Sequence, residues 1–212
     1  MNLNQIHFSL CLLDRWIVKR VSLLVAIANR KFNLRKGAMC NLRNIIVVPY
    51  DKRWLNEFEK IRDEVLPVIY NDIISIEHVG STSVPGLWAK PIIDMNIIIE
   101  NTMLPVVIEK LSSIGYEHEG NLGIEGREAF MYSDKSHLMQ HNLYVCSKDS
   151  AEHKRQMAFR DYLRSHPQDC INYSEIKIEM SKKYTHDIDS YIKGKEPVVM
   201  EIYLKCGILP WK

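Results

Sequence analysis

From residue 44 onward, apolar residues recur at two periods that sort the chain into helices and strands. Trp54, Phe58, Ile61 and Val65 are spaced by four, three and four, the stripe of an amphipathic helix with one face on a core. Pro49-Tyr50-Asp51 ahead of it reads as a turn and N-cap, and Ile45–Val48 as a short buried strand. Further strands are predicted from Ile73 to Val79 and from Ile92 to Ile99. In the second, the period of two puts Asp94 and Asn96 on one face and Ile93, Met95, Ile97 and Ile99 on the other. Thr102 is placed to cap a helix running through Leu111, and Gly115 to end it.

Residues 114–128, rich in Gly and charge, read as loop or irregular strand. Ala129–Tyr132 and Leu138–Val145 read as two strands joined in hairpin fashion around Ser133-Asp134-Lys135-Ser136. Beyond residue 150 the period becomes helical, with Phe159/Tyr162, Ile176/Met180 and Val199/Ile202/Tyr203 marking segments near 150–165, 171–184 and 187–206. Pro167 separates the first two segments. Pro197 suits the first turn of its own short helix, which predicts two pieces within 187–206. The pattern as a whole predicts an α/β (α+β) protein, with a mixed sheet early and a helical part late.

Residues 1–43 follow a different pattern. Phe8–Leu13 and Val21–Ile27 are apolar, but Asp14, Arg15, Lys19 and Arg20 interrupt them, so no run approaches the roughly 18 residues a membrane span needs. No signal-peptide pattern is clear either. Three readings stand for this extension: a docked or interfacial helix, a partner-binding arm, or sequence ahead of a true start at Met39. Residues 44–212 form the predicted domain.

A chain of 212 residues is long enough for one full core. Its formal charge of +2 lacks the concentrated basic stripe of a nucleic-acid binder, so no nucleic-acid partner is expected. Five cysteines, odd in number and with no C-x-x-C pair, fit a reducing cytoplasm and structural burial.

Chemistry concentrates in His78-Val-Gly-Ser-Thr-Ser-Val-Pro-Gly-Leu-Trp-Ala-Lys-Pro-Ile-Ile-Asp-Met-Asn-Ile97. Gly80, Ser81 and Ser83 form a small hydroxyl-rich turn that can offer backbone N–H groups and hydroxyls to phosphate oxygens; the alternative is a turn whose hydroxyls only cap a helix. It is neither a Walker loop nor a Gly-x-Ser-x-Gly elbow. Asp94 and Asn96 turn two oxygen ligands toward one cation, although a structural salt bridge would also suit Asp94. Lys90 can bring an ammonium to a phosphate or lie in solvent. Arg160 and Arg164, one helical turn apart, can reach phosphates or pair with nearby acids. His137 and His141 share a predicted strand face but sit ~13 Å apart, too far to chelate one ion. His141 alone reads as a proton acceptor or as a satisfied sheet histidine.

These residues resemble the GrpB family of the nucleotidyltransferase-like superfamily. The resemblance is carried by Val47-Val-Pro-Tyr-Asp51 with Trp54, Glu77–Leu87, Ala89–Asp94, Gly126-Arg127, Phe130, His141-Asn-Leu-Tyr-Val145, Phe159–Arg164, Tyr191 and Gly194-Lys195. It implies a nucleotidyltransferase-like fold, a small mixed sheet flanked by helices, with the Gly-Ser turn near nucleotide phosphates and strand acids on Mg²⁺. Two such metals about 3.5–4 Å apart steady an in-line displacement at phosphorus. Asn96 stands where the superfamily pattern has a second acid, which weakens a second metal site; Glu77 or Glu100 could substitute or be a solvated charge.

The expected function is therefore Mg²⁺-dependent transfer of a nucleotidyl group from a nucleoside triphosphate to an unknown acceptor. Asp94 would be catalytic, with Asn96 and Glu77 beside it as metal ligands. Gly80, Ser81, Ser83, Lys90, Arg127 and Arg160 would hold the nucleotide, and His141 would accept a proton. The alternative is a catalytically weak or inactive nucleotide-binding module with an accessory role linked to coenzyme A metabolism. The sequence leaves open the acceptor, the preferred base and the oligomeric state, a weak homo-oligomer included.

Overall fold

The computed structural model describes residues 44–208, so the extension's readings lie outside the described residues. Helix α1 (Arg53–Ile69) buries Trp54, Phe58, Ile61, Val65 and Ile69, the stripe its spacing predicts. Asp51 caps its start as expected, its carboxylate accepting from the Arg53 N–H at 2.9 Å. Strand β1 (Ser75–Val79) leads into the Gly-Ser turn, and β2 (Ile93–Ile99) follows it. Helix α2 (Leu104–Ser113) begins two residues after Thr102, whose side chain does not cap it, because a 3-10 turn over Asn101–Met103 comes first.

Then come β3 (Tyr116–Gly120), β4 (Arg127–Tyr132) and β5 (His141–Ser147). The sheet order is β1-β2-β5-β4-β3. Strands β2 and β5 run parallel and every other pair is antiparallel, which gives the expected mixed sheet. Helices α3 (Ala151–Ser165), α4 (Pro167–Lys183) and α5 (Ile188–Lys205) complete the helical part. Ser150 caps α3, its hydroxyl accepting from the His153 N–H at 3.3 Å.

Two local expectations, on residues 45–48 and Pro197, are corrected and two are made specific. Ile45–Val48 makes only a bridge, Val48 to Ala89, and leaves Ile46 exposed. Part of the segment at 114–128 is strand β3, where Tyr116 is buried while Glu117 and His118 face water. Pro167 separates α3 from α4 as expected, and it does so by opening α4, which starts four residues before the predicted 171, since the first helical position needs no N–H. Finally, α5 is continuous through Pro197: one lost backbone hydrogen bond is outweighed by the packing of Tyr191, Val198, Val199 and Ile202.

The sheet separates two interiors. On one face Ile93, Met95, Ile97, Ile99, Leu143, Val145 and Phe130 pack against α1 and α2. The other face carries the polar residues of β2 and lies beneath α3–α5, whose own core includes Leu163, Cys170, Tyr173 and Ile202 with Val84 and Leu87. Cys146 and Cys170 are buried free thiols and Cys206 is half-buried, in line with structural roles. No helix among the described residues is long and apolar enough to cross a membrane.

His78 ties the apolar side to the Gly-Ser turn. Its ring stacks on Phe58, with centroids 4.6 Å apart, and its Nε2 lies 3.1 Å from the Thr82 hydroxyl, which donates to the Ile92 carbonyl. Burial, helped by the charges of Arg164 and Arg160, pushes the imidazole down to about 4. The unfolded chain therefore binds a proton near pH 6.5 that the native state refuses until about pH 4, and stability falls as the pH drops through that window. Urea unfolding at stepped pH should show the wild type losing about 3 kcal/mol relative to His78→Gln between pH 6.5 and 4; parallel curves would disprove the assignment.

Candidate functional site

Directly paired residues on neighbouring strands share a face, so the register assembles the site. Val79 lies opposite Asp94 and Glu77 opposite Asn96; across β2, Asp94 faces Asn142 and Asn96 faces Tyr144. Arg127 opens β4 on the same face, its guanidinium 4.3 Å from the Tyr144 ring centroid. The turn reaches this face through Gly80. Its φ is +69°, and a Cβ built there would fall 2.2 Å from Asp94 Oδ2. Asp94 thus points at the turn, and only a residue without a side chain lets the backbone lie against it.

Two of the turn's hydroxyls hold its own shape. Ser83 donates to the Gly80 carbonyl at 2.6 Å, and Thr82 is engaged with Ile92 and His78. Ser81 is the half-buried hydroxyl of the three. Helix α3 clamps the turn from outside. Arg164 donates twice to the Ser83 carbonyl, at 3.1 and 2.7 Å, and Arg160 donates to the His78 carbonyl at 3.1 Å and to Glu77 at 3.2 Å. Arg160 is therefore spent on positioning β1.

Asp94 Oδ1 accepts from Asn142 Nδ2 at 2.7 Å. Three lysines from three separate elements interact with its charge. Lys90 precedes β2, Lys177 lies on α4 and Lys195 on α5. Lys177 is 2% exposed, and its Nζ has no hydrogen-bond partner among the described residues. The Lys195 and Lys90 ammoniums lie 4.2 and 6.0 Å from the Tyr191 ring centroid.

Burial, with the mutual repulsion of the lysines added, holds Lys177 well below the usual lysine range and brings Lys195 down to about 7. Lys90 is lowered by burial as well, against the pull of Asp94. Burial raises the Asp94 carboxyl, opposed by Asn142 and by the charges of Lys90, Lys177 and Arg127. One carboxylate faces three lysines in a poorly solvated place, where an anion would favour the protonated forms that burial disfavours.

Lys177 and Lys195 were not candidates from the sequence, yet a signal for them exists. Lys177 falls in step with the buried Cys170, Tyr173, Ser174, Met180 and Ser181, and Lys195 lies between the buried Tyr191 and Ile202. A lysine on a helix's buried stripe is rare unless something pairs with it. Gly194 helps bring them together: a Cβ there would sit 2.2 Å from Met180 Sδ, so α5 approaches α4 closely.

His141 is not brought to this group. It pairs with Ile93 and faces α1. Its Nε2 lies 2.8 Å from the Tyr116 hydroxyl, its Nδ1 2.8 Å from the Met139 carbonyl, and its ring stacks on Tyr132. His137 is outside β5 and exposed, 2.6 Å from Glu64. Glu100 is exposed and pairs with Lys148.

The donors expected on Mg²⁺ do not fit a resident ion. Asp94 has one oxygen on Asn142 and the other against Gly80, and Glu77 is paired with Arg160. Asn96 is fully buried, its amide nitrogen 2.7 Å from Gln156 Oε1 and 3.3 Å from His153 Nδ1, with its carbonyl oxygen sealed and unpartnered. Among the described residues no group of three or more His, Cys, Asp or Glu side chains is gathered to hold a metal.

A Gly-Ser turn backed by a strand acid on a mixed sheet is the arrangement the resemblance anticipates, and the comparisons bear out the family. The GrpB protein family matches residues 44–205, and the chain belongs to that family. UPF0157 protein YqkA of Bacillus subtilis is 32% identical over 73% of this chain, which spans 45% of that protein. The glutamate-rich protein GrpB of Alkalihalophilus pseudofirmus is 30% identical over 76% of this chain and 95% of its own. The crystal structure of conserved protein GrpB from Enterococcus faecalis aligns with a TM-score of 0.65 at 30% identity, covering 76% of this chain and 98% of that one.

Gly80 and Gly86 provide a matched test of the turn. Both have positive φ, but a Cβ at Gly86 would meet nothing within 4 Å. Gly86→Ala should cost about 1 kcal/mol of backbone strain and Gly80→Ala about 3, because the second also displaces Asp94. Equal losses in urea unfolding would mean that Asp94 does not lie against the turn.

Proposed function

We propose that this protein binds the polyphosphate tail of a nucleoside triphosphate on the polar face of the sheet. The observation that carries this reading is the gathering of buried Lys177, unpartnered by any hydrogen bond among the described residues, with Lys90 and Lys195 on the Tyr191 ring, all three acting electrostatically on Asp94 beside the Gly80 turn. Ammoniums held out of water with too few counter-charges are costly to the fold by themselves, and a bound polyanion repays that cost. The turn would supply backbone N–H groups and the Ser81 hydroxyl, and Arg127 a further cation. Arg160 and Arg164 would hold the turn in place without touching the ligand.

Nucleotidyl transfer to an acceptor is the chemistry the resemblance attaches to such a turn. The arrangement favours holding a nucleotide over transferring its nucleotidyl group, for a specific reason. Of the oxygens that would hold the metal ions of such a transfer, Glu77 is tied to Arg160 and the Asn96 carbonyl oxygen is sealed. Equilibrium dialysis with labelled ATP, GTP, CTP and UTP, alongside an assay for pyrophosphate release, separates the two. Binding without turnover is expected; pyrophosphate release would establish the transferase, and no binding of any of the four would end the proposal.

The lysines should show opposite effects on stability and binding. Lys177→Met removes a buried, unpartnered ammonium, so it should raise the unfolding free energy by about 1 kcal/mol or more while weakening nucleotide binding at least about tenfold. A variant both less stable and undiminished in binding would contradict the site. Affinity should also fall as the pH rises through about 7, where Lys195, facing Lys90, Lys177, Asp94 and Tyr191, gives up its proton. Titrations across pH 6 to 9 compared with Lys195→Met, whose profile carries the ligand's own ionisation without this lysine, check this; parallel profiles would rule it out.

A further inference from the structure

We propose that the lysine cluster takes the place of a divalent metal, so that the ligand is the uncomplexed polyphosphate of a nucleotide rather than its Mg²⁺ chelate. This rests on the polyphosphate-binding reading and narrows it to one ionic form. A site built for a metal chelate presents carboxylate oxygens that share the ion with the phosphates, whereas a site built for the free anion presents cations.

The polar face of this sheet is of the second kind. Each acid on or over it is already engaged. Asp94 is held by Asn142 and pressed against Gly80, Glu77 is 3.2 Å from Arg160, and Glu152 is 3.0 Å from Arg155. Asn96, the remaining oxygen donor of β2, turns its amide nitrogen to Gln156 and His153 and keeps its oxygen out of reach.

Two cations here, Lys177 at Nζ and Arg127 at Nε, lack a hydrogen-bond partner among the described residues and face aromatic rings, Lys177 lying 5.0 Å from the Tyr173 centroid and Arg127 4.3 Å from that of Tyr144. Lys90 and Lys195 share Asp94 with Lys177. Three lysines face one carboxylate, and burial works against the protons of Lys177 and Lys195 until an anion arrives to hold them there. A triphosphate that brings its own Mg²⁺ supplies less negative charge than the bare anion does. In this arrangement Asp94 is an internal counter-ion that keeps the lysines together when no ligand is bound, and it opposes the ligand when one arrives.

Calorimetric titration of the full chain with ATP tests this, once in EDTA and once with Mg²⁺ in excess over ATP, the two buffers matched in ionic strength with NaCl. Binding is expected to be at least about tenfold tighter in EDTA. An Asp94→Asn variant separates the roles further. As an internal counter-ion, its neutralisation should strengthen ATP binding several-fold in EDTA; as a metal ligand, its loss should abolish binding in Mg²⁺ and leave EDTA unaffected. If Asp94→Asn does not fold, the wild-type comparison decides alone. Tighter binding in Mg²⁺ would overturn the inference and leave the polyphosphate-binding reading standing. No binding in either buffer would overturn both.

Discussion

Alternate side chains of β2 must leave the sheet on opposite sides, and this constraint decides where both the core and the chemistry lie. Ile93, Met95, Ile97 and Ile99 are each no more than 2% exposed, packed under α1 and α2. Burying a side chain of that size is worth about 1.5–3 kcal/mol. A slip of one residue would send all four to the polar face and drive Asp94 and Asn96 into the apolar core, which no local adjustment could repair. Hydrophobic burial on one side therefore fixes, as a by-product, the position of a carboxylate on the other. Since β1 and β5 are locked to β2 in register, Glu77, Asn142 and Tyr144 are fixed with it.

A polar face open to solvent would need nothing more, but here α3, α4 and α5 cover it, and each polar group beneath them must find a partner or cost stability. Most do. Glu77 takes Arg160, Asn96 takes Gln156, and Asp94 takes Asn142. The carbonyls of the turn, which cannot all be satisfied within so short a loop, take Arg160 and Arg164 from α3. What remains after this pairing includes the Asn96 carbonyl oxygen and the Tyr191 hydroxyl, but its basic part is concentrated: Lys177, part of the Arg127 guanidinium, and two half-buried lysines around a shared acid. Leftover charge of one sign under a helical cover is difficult to explain as packing, because leucine or methionine at those positions would fill the same space at lower cost.

The elements legible in the sequence are those whose burial is periodic. The α1 stripe and the two faces of β2 follow from spacing because each borders one continuous apolar core. Strand β3 escapes that reading because a single buried residue, Tyr116, anchors it while its neighbours face water. Pro197 misleads because the rule against proline inside a helix is a cost that packing can exceed. At the site, Gly80 and Asp94 are legible because one short string brings both to the same place. His141 is ambiguous in the sequence because strand alternation gives the parity of a residue but not which face its neighbours occupy. The pairing of His141 with Ile93 settles that. Lys177 and Lys195 are the deepest omission. Nothing local links them to residue 94, and only the close approach of two helices does.

That close approach explains why the site needs the whole of residues 44–205 rather than the sheet alone. The turn and Asp94 come from the first half of the domain and are complete once β1 and β2 pair. The ammoniums of Lys177 and Lys195 come from α4 and α5, and they meet only because Gly194 presents no side chain to Met180. Two groups that repel each other are thus held together by apolar contacts around them, Met180 and Tyr191 with Ile176 and Ile188. The packing of the helical part works against its own electrostatics, and the strain is confined to one spot beside the turn. The proposed polyanion would meet these lysines beside the point where the Gly80 turn lies against a strand acid, and its charge would offset the cost that the packing imposes.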